Sequence, residues 1–172
     1  MNIKILIDKI IPPNDYHHRN GFNNTLIIDQ LDDSEKNLVE EVLIKRLSEQ
    51  DFDLLVIETL SYLKSELSLP FLYRFLETCT DEMTKIIVSA SIFEINNDSS
   101  MINIAINSFE QIAKNKDSYY VFRLISTFYY LIKFRNTNVN SIIKEYTKNK
   151  EYLISYNAKK ALSNLSNLKE KL

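Results

Sequence analysis

Four segments of this chain repeat one pattern of side chains, and that pattern leaves few folds open. Leu124, Thr127, Phe128 and Leu131 stand at i, i+3, i+4 and i+7, so a helix places them on one face. The arrangement recurs at Val56, Thr59, Leu60 and Leu63; at Val88, Ser91, Ile92 and Ile95; and at Ala158, Ala161, Leu162 and Leu165. The second position is always small, which lets a neighbouring backbone come close while the residue after it fills the space alongside. Ten residues before it stands an acid each time: Glu49, Asp81, Asp117 and Glu151. An acid at or near a helix start accepts a free amide and opposes the positive end of the helix dipole. Successive copies lie 32, 36 and 34 residues apart, the period of helix-pair repeats and too irregular for a coiled coil.

The most apolar copy, residues 118–135 (SYYVFRLISTFYYLIKFR), has neither Gly nor Pro and needs neighbours on several sides. The rest of the chain is expected to be arranged around it. One Gly and three Pro in 172 residues leave little for hairpins, Gly-rich phosphate loops or long linkers. Helical spacing and capping residues predict a cap helix over 2–11, ended by Pro12–Pro13, then a loop to about residue 24 and a short apolar segment over 25–31. Helices follow over 34–48, 53–65, 69–79, 82–95, 100–114, 118–135, 138–148 and 150–167. The reading is all-α and a single domain over 1–172, with a cap and loop in 1–31 and repeats in 32–167.

The last copy, EYLISYNAKKALSNL, resembles the second helix of a HEAT-like repeat: an acidic start, then Ala158, Ala161–Leu162 and Leu165. The resemblance extends over about residues 34–166. It departs from the usual pattern in lacking an Arg early in that helix; Arg123 is the nearest equivalent, in one copy. What the resemblance implies is a right-handed α-solenoid of about four helix pairs with the second helix of each pair lining an inner surface. It implies no catalytic residues.

Chemistry is sparse. The single cysteine, Cys79, excludes an internal disulfide or a multi-Cys zinc site and reads as a small packing residue. His17 and His18 are adjacent in one loop, where they converge poorly on a metal, and no nearby ligand has zinc-like spacing. A Ser–His–Asp arrangement, a His-Glu-x-x-His pattern and an EF-hand loop are all missing from the sequence. The chain reads as a non-enzyme without cofactor or metal. No apolar run approaches the roughly 20 residues that span a bilayer, and the start MNIKILIDKII has no cleavage site, so a cytoplasmic protein is expected.

On the side opposite the repeated core pattern stand Glu58, Tyr62 and Ser65; Ala90, Glu94 and Asn97; Ser126, Tyr130 and Lys133; and Lys160, Asn164 and Asn167. Tyrosines among charged and amide groups suit a protein-binding surface, because Tyr buries much area and keeps a polar tip. Charge is polarised along the chain. Residues 1–98 carry 9 Lys/Arg against 18 Asp/Glu, a net of −9, and residues 99–172 carry 12 against 5, a net of +7. Such fields steer association and select partners.

A protein-binding module is therefore expected. This composition also resembles the short HEAT-type proteins of bacteria that act as immunity proteins, which implies binding and occluding a cognate toxin, one with a basic surface if the acidic half meets it. Two alternatives use the same charges. Lys133, Arg135, Lys144, Lys148, Lys159 and Lys160 would serve nucleic-acid binding, which the acidic half disfavours. Acidic and basic halves would also permit self-association.

Overall fold

The structure, a computed structural model, describes residues 2–169 and the side chains of residues 2–165. Among these the chain is helical, with no strand. It divides into two compact units, Met1–Glu77 and Thr78–Leu172. The first holds α1 (Ile3–Ile10), α2 (Tyr16–Arg19), α3 (Thr25–Asp29), α4 (Asp33–Ser48), α5 (Leu54–Tyr62), a 3-10 turn at Glu66–Ser68, and α6 (Leu69–Thr78). The second holds α7 (Glu82–Asn96), α8 (Ser100–Lys114), α9 (Tyr120–Leu131) continuing into a 3-10 turn at Ile132–Phe134, α10 (Thr137–Tyr146) and α11 (Tyr152–Lys169).

Helix starts are held by side chains. Asp32 and Glu35 form a reciprocal capping box on α4, Asp81 accepts from the Thr84 amide at 2.7 Å, and Asn136 accepts from the Asn138 amide at 2.9 Å. Of the four recurring acids, Asp81, Asp117 and Glu151 stand at the starts of α7, α9 and α11. Glu49 does not: it closes α4, and Asp53, four residues on, caps α5 through the Leu55 amide at 2.9 Å. Helix ends are held differently. Gln50, Lys64, Asn97 and Arg135 occupy the left-handed region, with φ of 64°, 58°, 58° and 48°. Lys64 ends α5 sooner than the predicted residue 65, because its left-handed turn sends the Ser65 amide back to the Leu60 carbonyl at 3.0 Å. L-residues pay roughly 1 kcal/mol or more for this conformation, a cost that follows from having one glycine in the sequence.

In the first unit, Ile10, Ile28, Val39, Leu43, Leu47, Val56, Ile57, Leu60 and Leu72 are buried. Phe52 stacks on Phe75 with ring centroids 4.1 Å apart, which ties the approach to α5 to α6. The segment predicted as a loop is not solvated throughout. It contains α2, whose Arg19 donates through Nη1 and Nη2 to both carboxylate oxygens of Asp53, each at 2.6 Å, and through Nε and Nη2 to the Pro12 carbonyl. Asn24 is also buried, donating to Thr59 Oγ1 at 2.7 Å and to the Ile10 carbonyl at 3.1 Å. These bonds latch the N-terminal segment onto α5. Burial pushes the Asp53 carboxyl up, yet the Arg19 guanidinium and the Leu55 amide outweigh it and hold the pKa below its ordinary value.

In the second unit α9 packs against α7, α8, α10 and α11, so the 118–135 stretch does have neighbours on several sides. α8 lies against α7, and α10 against α11. Phe128 sits with Phe109 and Tyr146 in an aromatic cluster, ring centroids 5.4–6.3 Å apart. The four small positions are closed to water: Thr59, Ser91, Thr127 and Ala161 are 1%, 1%, 0% and 0% exposed. Thr127 satisfies its hydroxyl by donating to the Leu124 carbonyl at 2.6 Å.

Two predictions follow from this packing. Thr127→Asp buries a charge with no partner and should cost about 3 kcal/mol or more in urea unfolding, whereas Thr127→Ser, which keeps the hydroxyl bond, should cost about 1 kcal/mol. Arg19→Ala should cost about 2 kcal/mol at neutral pH. Because the folded Asp53 pKa is depressed, the stability it contributes is present above the ordinary carboxylate range and lost as pH falls through the folded value. Arg19→Ala should therefore also flatten the acid limb of a stability–pH curve.

Candidate functional site

The residues expected on the partner-facing side fall into three groups. Ser65 and Ala90 are buried, not surface groups. For Ser65 the cause is the left-handed turn at Lys64, which folds it inward. For Ala90 it is that α7 is enclosed all round: Ile86 to Ile92 are buried without a break, so this helix has no outward face along its middle. Asn167 lies outside the described side chains.

A second group is drawn together in the C-terminal unit. Lys133 donates to Glu94 at 2.8 Å, both side chains about one-third exposed, and the Lys133 ammonium stands 5.4 Å from the centroid of the Tyr130 ring. This bridges α7 to the turn after α9. Asn97 follows as the exposed left-handed cap of α7, its amide donating to Phe93 at 2.8 Å. Lysine, glutamate and tyrosine here serve one another, so they contribute a shaped polar rim more than free charge.

The third group is exposed or half-buried. Ser126 is exposed on α9 with its hydroxyl donating to the Phe122 carbonyl at 2.9 Å. Lys160 is exposed on α11 and Asn164 half-buried. In the N-terminal unit Glu58 is half-buried, and Tyr62 is exposed with its hydroxyl donating to Asp29 at 2.5 Å, which holds the Tyr62 pKa above its ordinary value.

Residue-type reasoning missed the aromatic groups beside this third set. Phe122 is 62% exposed, Tyr152 71% and Tyr156 48%, with Tyr119 and Leu153 also open to solvent. The signal was available one helical turn back: Phe122 precedes Ser126 by four residues, and Tyr156 precedes Lys160 by four. Tyr152 and Tyr156 stack with centroids 5.9 Å apart. α9 and α11 pack together, and the Tyr129 hydroxyl donates to Asn157 at 2.6 Å between them.

Several other polar groups are engaged within the fold. A cleft of about 510 Å³ in the first unit is lined by Asp8, Ile11, Pro12, Arg19, Arg46 and Asp53, but Arg19 and Asp53 spend their hydrogen bonds on each other and on the chain. His18 Nδ1 donates to the Asp15 carboxylate at 2.8 Å while the His17 ring meets the His18 ring edge-on, so the two rings do not converge. Among the described residues no group of three His, Cys, Asp or Glu side chains is placed to hold a metal ion, and no helix is long and apolar enough to cross a membrane. Cys79 is half-buried just beyond α6, and burial pushes its thiol up, away from the reactive thiolate. Compared with protein families, curated proteins and solved structures, the chain matches none.

The Glu94–Lys133 pair is open enough to water that its strength should be small. Lys133→Ala is expected to cost about 1 kcal/mol, and a double-mutant cycle with Glu94→Gln should give a coupling of about 0.5 kcal/mol that shrinks as salt is added.

Proposed function

We propose that this chain is a non-enzymatic protein-binding module built from HEAT-like helix pairs, and that it acts as an immunity protein covering the active surface of a cognate toxin. The observation that carries the binding reading is the grouping of exposed large apolar side chains. In the second unit the five found among the described residues, Tyr119, Phe122, Tyr152, Leu153 and Tyr156, stand on or beside the first turns of two packed helices, α9 and α11. In the first unit the exposed ones are scattered: Ile5, Tyr16, Leu26, Leu38, Tyr62 and Leu67 come from six different elements. Single exposed apolar residues are ordinary on a protein surface, whereas grouped aromatics mark places where a partner excludes water.

The repeat reading draws support from the second unit, where α7, α9 and α11 each lie against the next in the series and α8 and α10 pack beside them. The buried small positions of α7, α9 and α11 permit that spacing. The immunity role rests on the resemblance of this small, Ile/Asn/Lys-rich helical repeat to bacterial proteins of that kind. The acidic N-terminal unit, with 8 Lys/Arg against 14 Asp/Glu in residues 1–77, would suit the basic surface of a nuclease-type toxin.

The test asks whether a gene adjacent to this one encodes a toxin-like C-terminal domain, and co-expresses that domain with the chain. Growth should be rescued and a complex should co-purify. Phe122→Ser should weaken that complex roughly tenfold or more while leaving the melting temperature unchanged. A toxin that kills equally with and without the chain, and forms no complex with it, ends the immunity reading.

A further inference from the structure

We infer that the exposed face shared by α9 and α11 docks an acidic protein segment that carries apolar anchor side chains. This deepens the binding reading above and rests on it.

Two observations on the same elements combine. The first is the apolar grouping: Tyr152 and Tyr156, one helical turn apart and stacked on each other, with Leu153 beside them and Phe122 on the packed neighbour. Rings held this way lose little freedom on binding, so covering them favours association at low entropic cost. The second is the sign of the charge around them. Lys148 and Lys150 immediately precede Tyr152, and Lys159 and Lys160 follow Tyr156 within one turn; all four are exposed. Over residues 137–165 there are five lysines and two glutamates, Glu145 and Glu151. Just before α9, the Asp117 carboxylate is already engaged, accepting from Arg123 at 2.8 Å and from the Tyr119 amide at 2.9 Å. The lysines have no carboxylate partner among the described residues.

A partner that covers the tyrosines therefore brings its rim against these ammonium groups. A basic rim would add like charge to them, and a neutral one would leave them without counter-charge. Aspartate or glutamate around an apolar anchor meets both requirements at once. Nucleic acid shares the negative charge and could stack bases on the outer faces of these rings, but the exposed Leu153 beside them offers a base no stacking partner and an apolar side chain a contact. The protein segment is the better fit.

The full chain is titrated by fluorescence anisotropy with three labelled probes. One is an amphipathic peptide of about 16 residues, glutamate-rich, with Leu and Phe at i, i+3, i+4 and i+7. The second has lysine in place of every glutamate, and the third is an oligodeoxythymidine of similar length. The acidic peptide should bind, lose affinity as salt is raised, and shift backbone amide resonances of α9 and α11. Tyr156→Ala and the pair Lys159→Glu with Lys160→Glu should each weaken it roughly tenfold, with thermal melts unchanged. No binding of the acidic peptide, or binding unaffected by these substitutions, overturns the inference. Preference for the lysine peptide at the same face overturns the acidic chemistry and leaves protein docking standing. Preference for the oligodeoxythymidine overturns both.

Discussion

Two helix backbones can approach closely only where the side chain between them is small. Thr59, Ser91, Thr127 and Ala161 are that allowance, and each is closed to water. A larger residue at any of them would push neighbouring helices apart, and a charged one would be stranded without solvent. Thr127 and Thr59 also bond locally. Thr127 returns its hydroxyl to the Leu124 carbonyl, and Thr59 bonds to Leu55 while accepting from Asn24. Thr59 thereby makes the close-packed position of α5 also the anchor of the N-terminal segment.

Because the small positions commit one side of α9 and α11 to packing, the opposite side is left to solvent, and what the sequence puts there becomes the surface chemistry. On α9 that side begins with Phe122 and Ser126; on α11 it begins with Tyr156 and Lys160. α7 follows the same pattern of core residues but has no such side along Ile86–Ile92, which is why Ala90 faces no solvent and Glu94, a turn later, is the first polar group to emerge. Equivalent positions on three similar helices thus differ in exposure through their surroundings, not their spacing.

That difference marks the limit of what the sequence discloses. Periodicity located each long helix to within a few residues, since apolar spacing and Asp or Asn caps are local signals, and it identified the buried small positions. It did not reveal the latch, because Arg19 and Asp53 are 34 residues apart and nothing local ties a guanidinium in a turn to the carboxylate that starts α5. It misplaced Glu49 because spacing alone does not say on which side of the break between α4 and α5 an acid falls, and only the left-handed Gln50 behind it shows which. Of the surface residues, Glu94, Tyr130 and Lys133 do cluster, but as partners of one another. The solvent-facing aromatics escaped notice because an aromatic on an amphipathic helix is ordinarily taken for core.

Helices here begin and end under different forces. Their starts are fastened by side-chain carboxylates and amides, while four of the segments close on L-residues held in a conformation that glycine would adopt freely. Fraying is therefore biased toward the carboxyl-terminal turns at Gln50, Lys64, Asn97 and Arg135, and slow-exchanging amides should thin out toward those ends first. The four side chains there are amides or cations, so a transient opening meets water with polar groups in front and does not bare the interior.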